Sequence, residues 1–90
     1  MAHVMVERKF DHPTSFDDLQ AQEVSFSWCA EQHQVTFIRS YLSRDGRRMI
    51  CEYQAPDAEA VRTLQRTARL PFERIWTATM FDWETELDRE

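Results

Sequence analysis

Two groups of side chains in this sequence could carry chemistry. The first is Cys29 with His33, spaced at i and i+4. On a helix that spacing places both on one face, with Cβ atoms roughly 5–6 Å apart. A thiolate and an imidazole together suit zinc, nickel or copper. Phe16, Leu19, Phe26 and Ala30 fall in the same angular sector, so the competing reading is that the pair edges the core. A free cysteine packs as a small apolar residue. The second group is Glu7, Arg39, Tyr41 and Glu52. Two carboxylates near a guanidinium and a phenol suit acid–base work or the binding of a small anion. With His3 as a nitrogen donor they also suit a metal. The plainer reading is a structural ion-pair network at an interface.

Positioning these residues requires a definite order of elements. Val-rich alternation from His3 to Phe10 reads as a strand, broken by His12-Pro13-Thr14. Ser15 is suited to cap a helix, with Asp17 and Asp18 at its positive end. From Phe16 to about Gln34 there is no glycine or proline, as a long helix requires. Val35 to Ser43 is β-branched and aromatic, hence a strand. Asp45-Gly46 predicts a two-residue type I′ hairpin, with Arg47 to Ala55 as the return strand. Asp57 then caps a second helix whose apolar stripe is Val61, Leu64 and Ala68. Leu70-Pro71 ends it, and Glu73 to about Trp83 forms the last strand. The order β-α-β-β-α-β predicts an α+β, ferredoxin-like sandwich: a four-stranded antiparallel sheet with two helices on one face. A single domain over 1–83 and an acidic C-terminal tail over 84–90 follow.

The hairpin dipeptide sets the register. Paired numbers then sum to 91, so Leu42 faces Met49, Ser40 faces Cys51 and Ile38 faces Tyr53. On the opposite surface Tyr41 faces Ile50, Arg39 faces Glu52 and Phe37 faces Gln54. Alternation puts the first set, Cys51 included, under the helices. Burial there makes a thiol inert. The second surface carries Phe37, Tyr41, Ile50, Met5 and Trp76 beside the charged group. An exposed apolar sheet face of this size marks an interface. We therefore expect a homodimer with the open faces packed together or enclosing a ligand cleft.

Composition limits the alternatives. The chain has 90 residues, 11 of them basic and 16 acidic, for a net charge of −5. A chain this short buries only ~60–65% of its unfolded surface, which also favours a dimer. No run reaches the ~18–20 apolar residues of a membrane span. The N-terminal residues lack a basic segment followed by an apolar run, so no secretory signal is expected and the location is read as cytoplasmic. Two cysteines are too few for a disulfide scaffold. The acidic balance argues against nucleic acid. Arg47 to Tyr53 also lacks the stacking aromatics of an RNA-recognition strand. No nucleophile elbow, phosphate loop, zinc-finger spacing or dinucleotide fingerprint occurs.

The run Arg39-Ser40-Tyr41-Leu42-Ser43-Arg44-Asp45-Gly46-Arg47-Arg48 and the following Cys51 to Arg62 carry a family resemblance. Val6-Glu7-Arg8 and Leu70-Pro71 extend it. Together they resemble a family of small bacterial ferredoxin-like proteins of undefined function, some described as nickel-binding or nickel-responsive. The resemblance implies the ferredoxin-like sandwich, a dimer and, for part of the family, nickel. Relatives often carry a histidine two positions after the arginine of the Ala-Val-Arg run, which is Leu64 here. The glycine usual before Leu-Pro is Arg69. With that imidazole absent, Cys29, His33 and Cys51 are the candidates to substitute as metal ligands.

Three functional readings follow. The first is a dimer that binds nickel or another transition metal. The second is a small-molecule binding protein or enzyme whose cleft is lined by Glu7, Arg39, Tyr41 and Glu52. The third is a protein-interaction module without chemistry.

Overall fold

A computed structural model describes residues 1–19 and 33–81. The strands are β1 (Ala2–Lys9), β2 (Thr36–Leu42), β3 (Arg48–Ala55) and β4 (Arg74–Ala78). They form one antiparallel sheet in the order β2-β3-β1-β4. The first helix begins at Phe16, and its described part ends at Leu19. The second helix spans Ala58–Thr67. The architecture is the α+β, ferredoxin-like sandwich expected from the element order.

Alternation along each strand separates two surfaces. Val4, Val6, Met49, Cys51, Tyr53 and Ile75 point into the core, where Val61 and Leu64 of the second helix and Leu19 of the first meet them. Burying each such side chain contributes about 1.5–3 kcal/mol. Ser15 caps the first helix, its Oγ accepting from the Asp18 N–H at 3.3 Å. Asp57 caps the second, accepting from the Ala60 N–H at 2.8 Å.

Two details of the hairpin depart from expectation. The turn has four residues, because the Ser43 N–H donates to the Arg48 carbonyl at 2.8 Å and closes the ladder there. Among the described residues of the turn only Gly46 has positive φ, 73°, whereas a type I′ turn needs Asp45 there too. Side-chain bonds decide the difference. Asp45 Oδ1 accepts from the Ser43 hydroxyl at 2.6 Å and from the Arg47 N–H at 3.1 Å, and Ser43 Oγ accepts from the Arg48 N–H at 3.0 Å. These bonds offer the backbone an alternative to the tighter turn. They also hold the Asp45 carboxyl below its usual pKa, the Ser43 hydroxyl being the largest cause.

The register nevertheless holds through the turn. Leu42 faces Met49, Tyr41 faces Ile50, Ser40 faces Cys51 and Arg39 faces Glu52. Beyond Arg39 it slips by one at a bulge, so Phe37 faces Tyr53 and Thr36 faces Gln54. Phe37 consequently leaves the open surface. Its ring meets that of Tyr53 edge-on at 5.6 Å, a favoured aromatic geometry. The expected Phe37–Gln54 and Ile38–Tyr53 pairs do not form.

The end of the second helix carries a further special residue. The Leu70 N–H donates to the Gln65 carbonyl at 2.8 Å and the Arg69 N–H to the Arg66 carbonyl at 3.1 Å. This is a Schellman cap. Its left-handed position is Arg69, with φ 57°.

Candidate functional site

The candidate surface is the sheet face turned away from the helices. The strand registers align its side chains in rows. Trp76, Met5, Glu52 and Arg39 form one row, and Arg74, Glu7, Ile50 and Tyr41 form the next. Glu7, Arg39, Tyr41 and Glu52 thus lie on one face in adjacent rows, as the alternation requires.

Two carboxylates organise this face, and each has two partners. Glu52 Oε2 lies 3.3 Å from His3 Nε2 and 3.7 Å from Arg39 Nε. Glu7 Oε2 accepts from the Trp76 indole N–H at 2.9 Å and lies 3.6 Å from Arg74 Nε. The Glu52 side chain is 14% exposed and that of Glu7 24%, so both are partly screened from water while Arg39 and Arg74 reach outward. Carboxylates held this way are acceptors of charge-assisted hydrogen bonds. The face therefore holds two carboxylate clusters rather than one cleft containing all four residues. Tyr41 and Glu7 border a groove of about 370 Å³ at the hairpin end of the sheet, which Glu52 and Arg39 do not line.

The thiol and imidazole candidates are more dispersed. Cys51 is 4% exposed and lies in the core, between Val6 and Ser40 in the register. Its thiol shares a buried polar cluster with Tyr53, Arg8 and Gln65. Gln65 Nε2 donates to the Tyr53 hydroxyl at 3.4 Å, and Arg8 Nε donates to the Pro71 carbonyl at 3.1 Å. Burial, the largest cause, pushes the Tyr53 phenol far above its usual pKa, and burial lowers that of Arg8. His33 is half-buried in the turn before β2. Cys29 lies outside the described residues. Among the described residues no three side chains of His, Cys, Asp or Glu come together as a metal cage.

Sequence reasoning missed the roles of Trp76 as a donor, Arg74 as the second cation and Arg8 as a buried one. The spacing of β1 and β4 would reveal the first two only once their register was known. Gln65 was invisible for a different reason: it lies one position after Leu64 on the helix and shares its burial, so its polarity pointed outward when the structure places it inward. No described helix is long and apolar enough to cross a membrane.

Comparison with known proteins places this geometry. The family model described as "Nickel responsive protein SCO4226-like" matches residues 5–77. The crystal structure of SCO4226 from Streptomyces coelicolor A3(2) superposes with a TM-score of 0.80 at 20% identity, over 90% of this chain and 100% of that one. An unknown protein from Galdieria sulphuraria superposes with a TM-score of 0.52 at 16% identity, over 90% of this chain and 46% of that one. Likeness at these identities concerns the fold. No curated protein matches the sequence. The family match covers β2, β3, the second helix and most of β1 and β4, though not His3, and the chain belongs to the SCO4226-like family.

Proposed function

We propose that this protein is a homodimeric binding protein for a transition metal, nickel first, which it takes at the open sheet face through His3 and Glu52. The supporting observation is the 3.3 Å approach of His3 Nε2 to Glu52 Oε2. An imidazole nitrogen and a carboxylate oxygen form a donor set within the range that nickel accepts. The family description supplies the choice of metal. Two donors make an open site, with the remaining positions left to water or to a second chain. The pair Cys29/His33 is the alternative donor set, resting on its helical spacing. Cys51 is enclosed by the core and contributes packing in this reading.

Dimerisation rests on the same face. Trp76 is 42% exposed, with Met5 between it and Glu52 in the register. A contiguous apolar surface of this kind marks an interface.

Equilibrium dialysis against nickel with elemental analysis tests the site. His3→Ala is expected to lose bound nickel while His33→Ala retains it. The opposite pattern would move the site to the first helix, and full retention by both variants would remove both donor sets. Light scattering on Trp76→Arg tests the dimer: a lighter species than wild type is expected, and equal masses would exclude this face as the interface.

A further inference from the structure

The hairpin end of the open face concentrates cations that nothing described neutralises. Lys9 stands directly opposite Arg48 in the β1–β3 register. Both side chains are exposed. Neither forms an ion pair or hydrogen bond with a described residue. Like charges directly opposite each other destabilise a sheet, so this arrangement opposes folding. Arg74 lines the same groove, together with the carboxylates Glu7 and Glu73, while the Arg8 side chain is buried on the other side of the sheet. Glu7 is already held by Trp76 and Arg74. With Glu7 taken by Arg74, Lys9 and Arg48 outnumber the remaining carboxylate, Glu73, and form a positive site in a chain of net charge −5.

The groove has the size of a ligand site as well as a charge. Its volume of about 370 Å³ falls within the ~300–1,000 Å³ of small-molecule pockets. Tyr41 and Ile50 give it an apolar wall beside the cations. Such a combination suits a molecule with an anionic head and an apolar body. A bare inorganic anion would leave that wall wet.

We propose that this groove binds a small organic anion, a carboxylate or phosphate carried on an aromatic or apolar body. Lys9 and Arg48 take the anionic group, and Tyr41 and Ile50 take the body. The bound anion relieves the repulsion that the free protein carries, which accounts for two cations held face to face. Neither His3 nor Glu52 lines the groove, so this inference stands or fails separately from the metal reading.

Titration of the full chain with phenyl phosphate in metal-free, low-salt buffer, followed by NMR chemical shifts, tests it. Saturable binding is expected, with shifts concentrated at Lys9, Tyr41, Arg48 and Ile50. The double variant Lys9→Gln, Arg48→Gln is expected to bind about tenfold or more weakly, given the strength of charge-assisted contacts. The same variant, without ligand, is expected to melt at a higher temperature than wild type, which also shows that it folds. Phenyl phosphate binding more tightly than benzoate would assign a phosphate head, and the reverse a carboxylate. The proposal is overturned if phenyl phosphate shows no saturation by about 10 mM, beyond the range of specific weak binding. Equal affinity of the double variant would overturn it too. So would inorganic phosphate binding as well as phenyl phosphate, since that marks an adventitious ion only.

Discussion

The indole N–H of Trp76 donates to Glu7 Oε2 at 2.9 Å, diagonally across β4 and β1. Glu7 faces Arg74 in the register while Trp76 faces Met5, so one long aromatic side chain bridges two rows of the sheet. Diagonal neighbours in antiparallel strands are within reach of such side chains. The bond occupies the Glu7 carboxylate and leans the indole along the face, where its ring adds apolar surface. Polar and apolar features of the open face are therefore coupled through this pair.

Replacing the indole by a phenyl ring separates the two contributions. Trp76→Phe keeps most of the apolar surface and removes the donor. A bond to a charged acceptor contributes about 1.5–3 kcal/mol when buried. With Trp76 42% exposed, solvent screening reduces the expected loss to about 1 kcal/mol. Urea denaturation checks this, and an unchanged midpoint would mean the bond adds nothing in solution.

Gly46 is under a double constraint. Its φ is 73°, and a Cβ there would lie 2.6 Å from the Thr14 carbonyl oxygen and 2.9 Å from the Thr14 nitrogen. The Thr14 N–H donates to the Gly46 carbonyl at 2.8 Å, so that segment cannot retreat without breaking a bond. Left-handed strain alone costs about 1–2 kcal/mol. Gly46→Ala is expected to exceed that range. Thermal melts of the variant give the comparison, and a loss under about 1 kcal/mol would show that the turn relaxes.

Arg69 presents the converse case. It occupies the left-handed position of a Schellman cap with φ 57°, a position where glycine avoids the Cβ penalty. Arg69→Gly is expected to stabilise the protein by about 0.5–1 kcal/mol, the residue's left-handed strain less the extra chain entropy of glycine. Chemical denaturation of the variant measures the gain. A lower midpoint would show that the arginine side chain contributes something that outweighs the backbone strain.

Much of the fold was legible in the sequence, and the reason is local. Ser15 and Asp57 announce helix starts through their own side chains, and the alternation of β1 and β3 separates core from open face. The hairpin register followed from Asp45-Gly46 even though the turn is wider than a dipeptide loop. Ser43 and Asp45 widen the turn without shifting the count, so Arg39 still meets Glu52. The bulge at Ile38 was not legible, because it depends on how Phe37 packs against Tyr53 across the strands. The arrangement of the open face was legible in part. Four residues were placed correctly on one face, but their division into a Glu52 cluster and a Glu7 cluster needed the positions of His3, Trp76 and Arg74. Those positions come from the β1–β4 pairing, which no local pattern specifies.

Tyr53 gives the fold a pH limit. Burial raises its phenol well above the usual 10.0. A group whose folded pKa is raised contributes stability that is complete below its unfolded value and is lost as pH rises toward the folded value. Stability is thus expected to decline above about pH 10. Base titration followed by circular dichroism measures the decline. Tyr53→Phe is expected to flatten this slope while costing about 1–2 kcal/mol at neutral pH, because Gln65 Nε2 loses its partner. An equal slope in the variant would assign alkaline unfolding to other groups.

The most direct test of the metal reading is nickel-edge X-ray absorption on protein loaded with nickel and dialysed. Retained nickel in an oxygen and nitrogen shell that includes imidazole is expected, as His3 and Glu52 would supply. Absence of a nickel edge, or a sulfur ligand in the first shell, would contradict it.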